Sequence, residues 1–175
     1  MLNATHFFAA LLAIVGLWAI RFELKGNAVP LWRFFVPAVA ILLCSLALLG
    51  GLSSRGRGIL LVALILGVPS GSVRAAWLLM RADHASKLVR LSRVRDGVRV
   101  AFAAVVFATI DVGVTFRVAD GAAPSPLFAA AVALCAGYLS GRAIVIASRW
   151  RSAQHRDMGS KRDGSKRDGS RRDPA

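Results

Sequence analysis

Apolar residues fall along this chain in long blocks, and the polar residues that separate them are few and mostly arginine. Five blocks stand out, at residues 5–21, 34–54, 59–80, 100–116 and 127–148. None alternates apolar and polar residues as a barrel strand would. An α-helix crosses a hydrocarbon layer about 30 Å thick in roughly 20 residues. In lipid, each backbone N–H and C=O must find its partner within its own segment. The pattern therefore predicts an all-α integral membrane protein with five transmembrane helices in a compact bundle over residues 1–150. Pro30 and Pro37 introduce the second block, and Pro124 and Pro126 precede the fifth.

The basic residues between the blocks predict how the chain is threaded. The first loop has Arg21, Lys25 and Arg33, and the third has Arg81, Lys87, Arg90, Arg93, Arg95 and Arg99. The tail after the fifth block carries nine more, from Arg149 to Arg172. The other side receives Arg55, Arg57 and Arg117 only. A split of eighteen against three requires an odd number of crossings, with the amino terminus outside and the carboxyl terminus in the cytoplasm.

Composition sharpens this picture. Of 175 residues, 56% are hydrophobic, yet the net charge is +14 and the mean hydropathy is +0.58. An ordinary soluble globule does not combine these values, and no polar stretch is long enough to bury a catalytic core of its own. Arginine outnumbers lysine 19 to 4, which suggests a GC-rich bacterial genome and hence the bacterial inner (plasma) membrane. The first block has its basic residue after the apolar core and no small-x-small site, so it reads as a retained helix and not a cleaved signal.

Two loops have composition of their own. In residues 81–99, Leu88, Val89, Leu91, Val94 and Val98 are interleaved with the basic residues. That spacing fits either an amphipathic helix or a short strand pair at headgroup level. His84 and Asp83 there lack a third ligand, and His84 reads as a solvated surface residue. The tail, residues 151–175, repeats Lys161–Ser165 as Lys166–Ser170 and has too few apolar residues to fold. It reads as disordered, either reinforcing topology or attracting anionic lipid headgroups. It has no interleaved aromatics, so nucleic acid is not an expected partner.

Three ionisable residues lie within the blocks, where a charge is costly and usually finds a partner or faces the bundle interior. Arg74 and Arg142 each precede the cytoplasmic end by seven residues, about 10 Å of depth. Each can snorkel to the headgroups. Asp111 lies about 18 Å from that side, and an extended arginine could bridge the gap. Asp111 is thus a candidate for a structural ion pair with Arg74 or Arg142, for a proton or substrate site, or for simple protonation. These three residues form the candidate intramembrane polar site.

The third and fifth blocks resemble each other. Gly67-Val-Pro-Ser-Gly71 leads to Arg74, and Gly137-Tyr-Leu-Ser-Gly141 leads to Arg142. Glycines four apart, Gly67 with Gly71 and Gly137 with Gly141, lie on one helix face and admit a close neighbour. Spans 2–3 and 4–5 could therefore be two matched hairpins, a weak parallel repeat. Pro69 is expected to kink the third span. Cys44 and Cys135 lie in apolar runs and read as small core residues.

No catalytic constellation, metal-ligand spacing or cofactor motif is present in the sequence, so no enzyme activity and no cofactor are expected. The residues Gly67, Gly71, Arg74, Asp83, Val89-Arg90-Leu91, Phe107-Ala108 and Ser140-Gly141-Arg142 resemble a domain-of-unknown-function family of small bacterial inner-membrane proteins, the CcdC-like group. In that group a glycine-rich span ending in arginine precedes a basic cytoplasmic loop, and a late G-x-x-S-G-R closes the last span. The resemblance implies a fold and a location but no reaction. The expected role is non-enzymatic, through helix–helix association with another copy or another membrane protein. The alternative is a small transporter or channel subunit that uses Asp111 with Arg74 or Arg142.

Overall fold

The structure, a computed structural model, describes residues 4–21, 28–50, 52–83, 88–91, 95–117 and 125–153. Residues 154–175 of the expected tail lie outside these residues, as do His84, Lys87, Arg93 and Val94 of the third loop. Five α-helices are present: α1 (Ala4–Ile20), α2 (Phe35–Leu49), α3 (Ser54–Ala76), α4 (Asp96–Arg117) and α5 (Pro126–Arg149). A 3-10 turn, Leu31–Phe34, leads into α2, and another, Trp150–Ser152, follows α5.

Helix ends follow local chemistry more closely than hydropathy. Ser53 caps α3, its Oγ accepting from the Gly56 N–H at 3.3 Å, so α3 starts five residues before the apolar block does. Asp96 sits in the first turn of α4, where a carboxylate suits the helix dipole. Pro126 occupies the start of α5, where its missing N–H costs nothing. The third block was expected to continue to residue 80. The helix instead stops at Ala76, and Met80 belongs to a strand. Pro69 lies inside an α3 that remains one continuous helix.

Four segments are long and apolar enough to cross a membrane: Leu31–Leu49, Ser54–Ala76, Asp96–Val114 and Pro126–Arg149. The apolar stretch of α1, Phe7–Ile20, is shorter. With 17 residues, α1 is about 25 Å long.

The helix α5 is the hub. It packs against α2, α3 and α4, while α1 bridges α2 and α4 and closes a four-helix ring. The remaining helix, α3, lies outside that ring against α5. Small side chains dominate the interior: Ala9 and Ala13 on α1, Ala101, Ala104 and Ala108 on α4, and Ala129, Ala133 and Ala136 on α5. Small residues let helices approach closely, which compensates for the weak hydrophobic drive between helices in lipid. Cys44 and Cys135 are buried free thiols, in agreement with their reading as core residues.

The expected pair of matched hairpins is half realised. The hairpin α4–α5 packs on itself, but α2 packs on α1 and α5, with no comparable contact to α3. The likeness between the third and fifth blocks reflects their packing on each other and not a repeated hairpin.

A small sheet closes one end of the bundle. It comprises β1 (Val29–Pro30), β2 (Met80–Asp83) and β3 (Leu88–Leu91), antiparallel in the order β1-β3-β2. Val29 pairs with Val89, Ala82 with Val89 and Asp83 with Leu88. Of the two readings of the third loop, the strand pair is the one the structure shows. Its third strand, from the α1–α2 connection, was not foreseen; Pro30 is tolerated there because β1 is an edge. Val29, Phe34 and Val89 pack on Ala143 and Ile146 of α5, with Trp150 alongside. The two basic connections and the end of α5 thus meet at a single end of the molecule.

Candidate functional site

The closest helix contact is built from the four glycines. A Cβ on Gly67 would overlap the carbonyl oxygen of Leu134, and one on Gly137 would overlap that of Leu64. A Cβ on Gly71 would overlap the Tyr138 carbonyl, and one on Gly141 that of Val68. The relation is reciprocal, since each glycine faces the carbonyl three residues before its opposite number. Only a residue without a side chain allows backbones to meet this way. Ser72 closes the crossing: its Oγ donates to the Val68 carbonyl at 2.9 Å and lies 2.9 Å from where a Gly141 Cβ would be. The two helices run parallel here, with Gly56 near Pro126 at one end and Ala75 near Arg149 at the other.

At the sheet end the crossing is fastened by charge. Arg149 Nη1 donates to the carbonyls of Ala75 (3.0 Å), Ala76 (2.8 Å) and Leu78 (3.3 Å). They lie at and just beyond the last turn of α3, where carbonyls run short of helical donors (that of Ala75 keeps one, the Leu78 N–H at 3.1 Å), and a cation suits that end of the dipole. Arg149 thus holds the chain where α3 ends, although the Trp77-Leu78-Leu79-Met80 that follows is apolar.

The three expected intramembrane charges do not come together. Arg74 is in the last turn of α3 and forms an ion pair with Asp96, at the start of α4. Its side chain is 53% exposed, so it sits at the bundle end and not at depth. Arg142 is 3% exposed, within α5 beneath the sheet. Asp111, 1% exposed, accepts from the Ser125 N–H at 3.0 Å and so caps the start of α5. Ser125 and Arg142 are 17 residues apart, about 25 Å along α5. Asp111 therefore pairs with neither Arg74 nor Arg142. The expected depths assumed helices that begin and end with the apolar blocks; α3 ends at Ala76, which brings Arg74 to a helix end, and α4 begins at Asp96, which carries Asp111 farther from that end, while Arg142 keeps its place seven residues before Arg149.

Several residues escaped sequence reading. Asp83, noted in the sequence only as a neighbour of His84 without a third ligand and within the family resemblance, is 2% exposed on β2. Asp96 looked like one more charge in a basic loop. Arg149 looked like a tail residue, and its three acceptors are backbone atoms that no pattern of letters displays. Among the described residues no group of three His, Cys, Asp or Glu could hold a metal ion.

No known protein family, characterised protein or solved structure matches the chain. Function must therefore be argued from the residues themselves.

The exposure of Arg74 sets the size of one expected effect. Arg74→Gln should leave stability nearly unchanged, because an ion pair made by so exposed an arginine is well screened. Thermal unfolding in detergent micelles, with raised salt mimicking the substitution, checks this.

Proposed function

We propose that this chain is a non-enzymatic integral protein of the bacterial inner (plasma) membrane. In this reading it crosses the bilayer five times, amino terminus outside, and works through helix–helix association with a second copy or another membrane protein. The observation that carries the reading is the gathering of the basic connections at one end, by the sheet β1-β3-β2 and by Arg149. That arrangement supports one cytoplasmic, anionic-lipid-facing surface. Away from this end the helices present apolar side chains outward: Leu11 and Ile14 on α1, Leu43 on α2, Ile65 and Leu66 on α3, Ile110 on α4. A soluble protein would not leave such faces bare. At 17 residues, α1 is at the short end of the crossing range.

Reporter fusions after Gly56 and after Ser170 test the threading. The expected result is an active periplasmic reporter at Gly56 and an active cytoplasmic reporter at Ser170. Activity of the same reporter at both positions overturns the five-crossing arrangement. Association is tested by energy transfer between labelled copies at falling protein-to-lipid ratio. Loss in proportion to dilution argues against self-association and leaves a different membrane protein as the partner.

A further inference from the structure

At the sheet end, a cavity of about 270 Å³ opens between the end of α1 and the turn that leads into α2. Among the described residues its lining is Trp18, Ala19, Arg21, Trp32, Arg33 and Val36, none of them acidic. Each arginine is seated on a neighbouring indole. The Arg21 guanidinium lies 4.6 Å from the Trp18 ring centroid, and that of Arg33 lies 5.7 Å from the Trp32 ring. A guanidinium that rests its flat face on an indole keeps its N–H edge available and gives up less freedom when it binds an anion. Two such cations around one cavity suit a phosphate, which accepts paired N–H bonds from a guanidinium.

Trp32 has a second neighbour. A wider apolar hollow, lined by Pro30, Leu31, Phe35 and Trp150, also has Trp32 in its wall. A cationic cavity and an apolar hollow thus share one indole, at the end where the basic connections gather. Trp18 and Trp32 are 63% and 62% exposed, as suits indoles at a membrane–water boundary.

We propose that this double cavity holds one anionic phospholipid, with its phosphate between Arg21 and Arg33 and its acyl chain along the hollow beyond Trp32. The chemistry shared by all ligands of the cationic half is a phosphate ester; the adjoining apolar half selects the lipid-borne form. The proposal rests on the membrane placement argued above, and names the lipid class and the residues that meet it.

The test uses the full chain in nanodiscs of phosphatidylcholine with a minor share of phosphatidylglycerol, followed by mild detergent and native mass spectrometry. The chain should retain phosphatidylglycerol in preference to phosphatidylcholine. Arg21→Gln with Arg33→Gln should reduce that retention by about tenfold, the scale of a lost charge-assisted contact. Arg55→Gln with Arg57→Gln, which removes the same charge from the other end, should leave it unchanged. Equal loss in both pairs would reduce the effect to net charge and overturn the site. Displacement of the lipid by excess glycerol 3-phosphate or inorganic phosphate would assign the cavity to a soluble phosphate ester and overturn the lipid.

A second measurement does not depend on the arginine variants folding. With Trp77→Phe, the remaining indoles are Trp18, Trp32 and Trp150, all of which line the double cavity. Brominated phosphatidylglycerol should quench them more strongly than brominated phosphatidylcholine at equal mole fraction; equal quenching overturns the site. Release of the chain from native membranes by alkaline carbonate would instead defeat the membrane placement itself. A chain that stays in the membrane but shows no headgroup preference defeats the lipid site alone.

Discussion

Gly71→Ala should destabilise the protein by about 1–3 kcal/mol, the usual range for forcing a methyl group into a closed contact. The added Cβ would overlap the Tyr138 carbonyl, a backbone atom that cannot rotate aside. Relief requires α3 and α5 to separate along the crossing, which also loosens Gly67 against Gly137. Gly141→Ala should behave alike, because its Cβ would overlap the Val68 carbonyl. The double variant should cost less than the two single costs added together, since one separation relieves both overlaps. Gly58→Ala is the control on the same helix: nothing lies within 4 Å of its Cβ. It should be neutral or stabilising by up to about 1 kcal/mol, from helix propensity alone. Unfolding of the four variants in detergent micelles decides the matter, and equal stabilities for Gly71→Ala and Gly58→Ala would refute the crossing.

Arg149→Gln should have the next largest effect. One guanidinium nitrogen serves three carbonyls at the end of α3, at 2.8–3.3 Å. Hydrogen bonds to a charged group contribute about 1.5–3 kcal/mol, so a loss of that order is expected. The effect should be local: amide exchange should quicken over residues 77–83, where α3 passes into β2, while α1 and α2 keep their protection. Arg149→Lys should recover part of the loss, since an ammonium keeps the charge but presents fewer donors in a fixed plane. Arg55→Gln, an exposed charge at the other end, should change neither readout. Uniform quickening across all helices in Arg149→Gln would show that the bond is not a local clasp.

The two predictions separate what was legible in the sequence from what was not. Five helices could be read because each requires a long apolar run, and the glycine faces of the third and fifth because a spacing of four is carried by residue identity; that these two faces meet each other could not. The sheet could be read only in part. Residues 88–91 alternate enough to suggest a strand, but β1 is two residues long and has no period to detect. The polar contacts were the least legible. Asp111 meets a backbone N–H across the α4–α5 connection, and Arg149 meets carbonyls more than seventy positions earlier. A backbone partner leaves no mark in the side-chain sequence. Helix ends governed by such contacts fall elsewhere than hydropathy puts them, and the depths assigned to Arg74 and Asp111 moved with them.

The position of α3 has a consequence for how the molecule is made. Synthesis completes its glycine face well before α5, the element that covers it, and α4 must be made in between. During that interval the groove stands open and another helix of like spacing could occupy it. A nascent chain halted after α4 would therefore be the form most prone to mispairing, and a quality-control protease would find its target there before the last helix arrives.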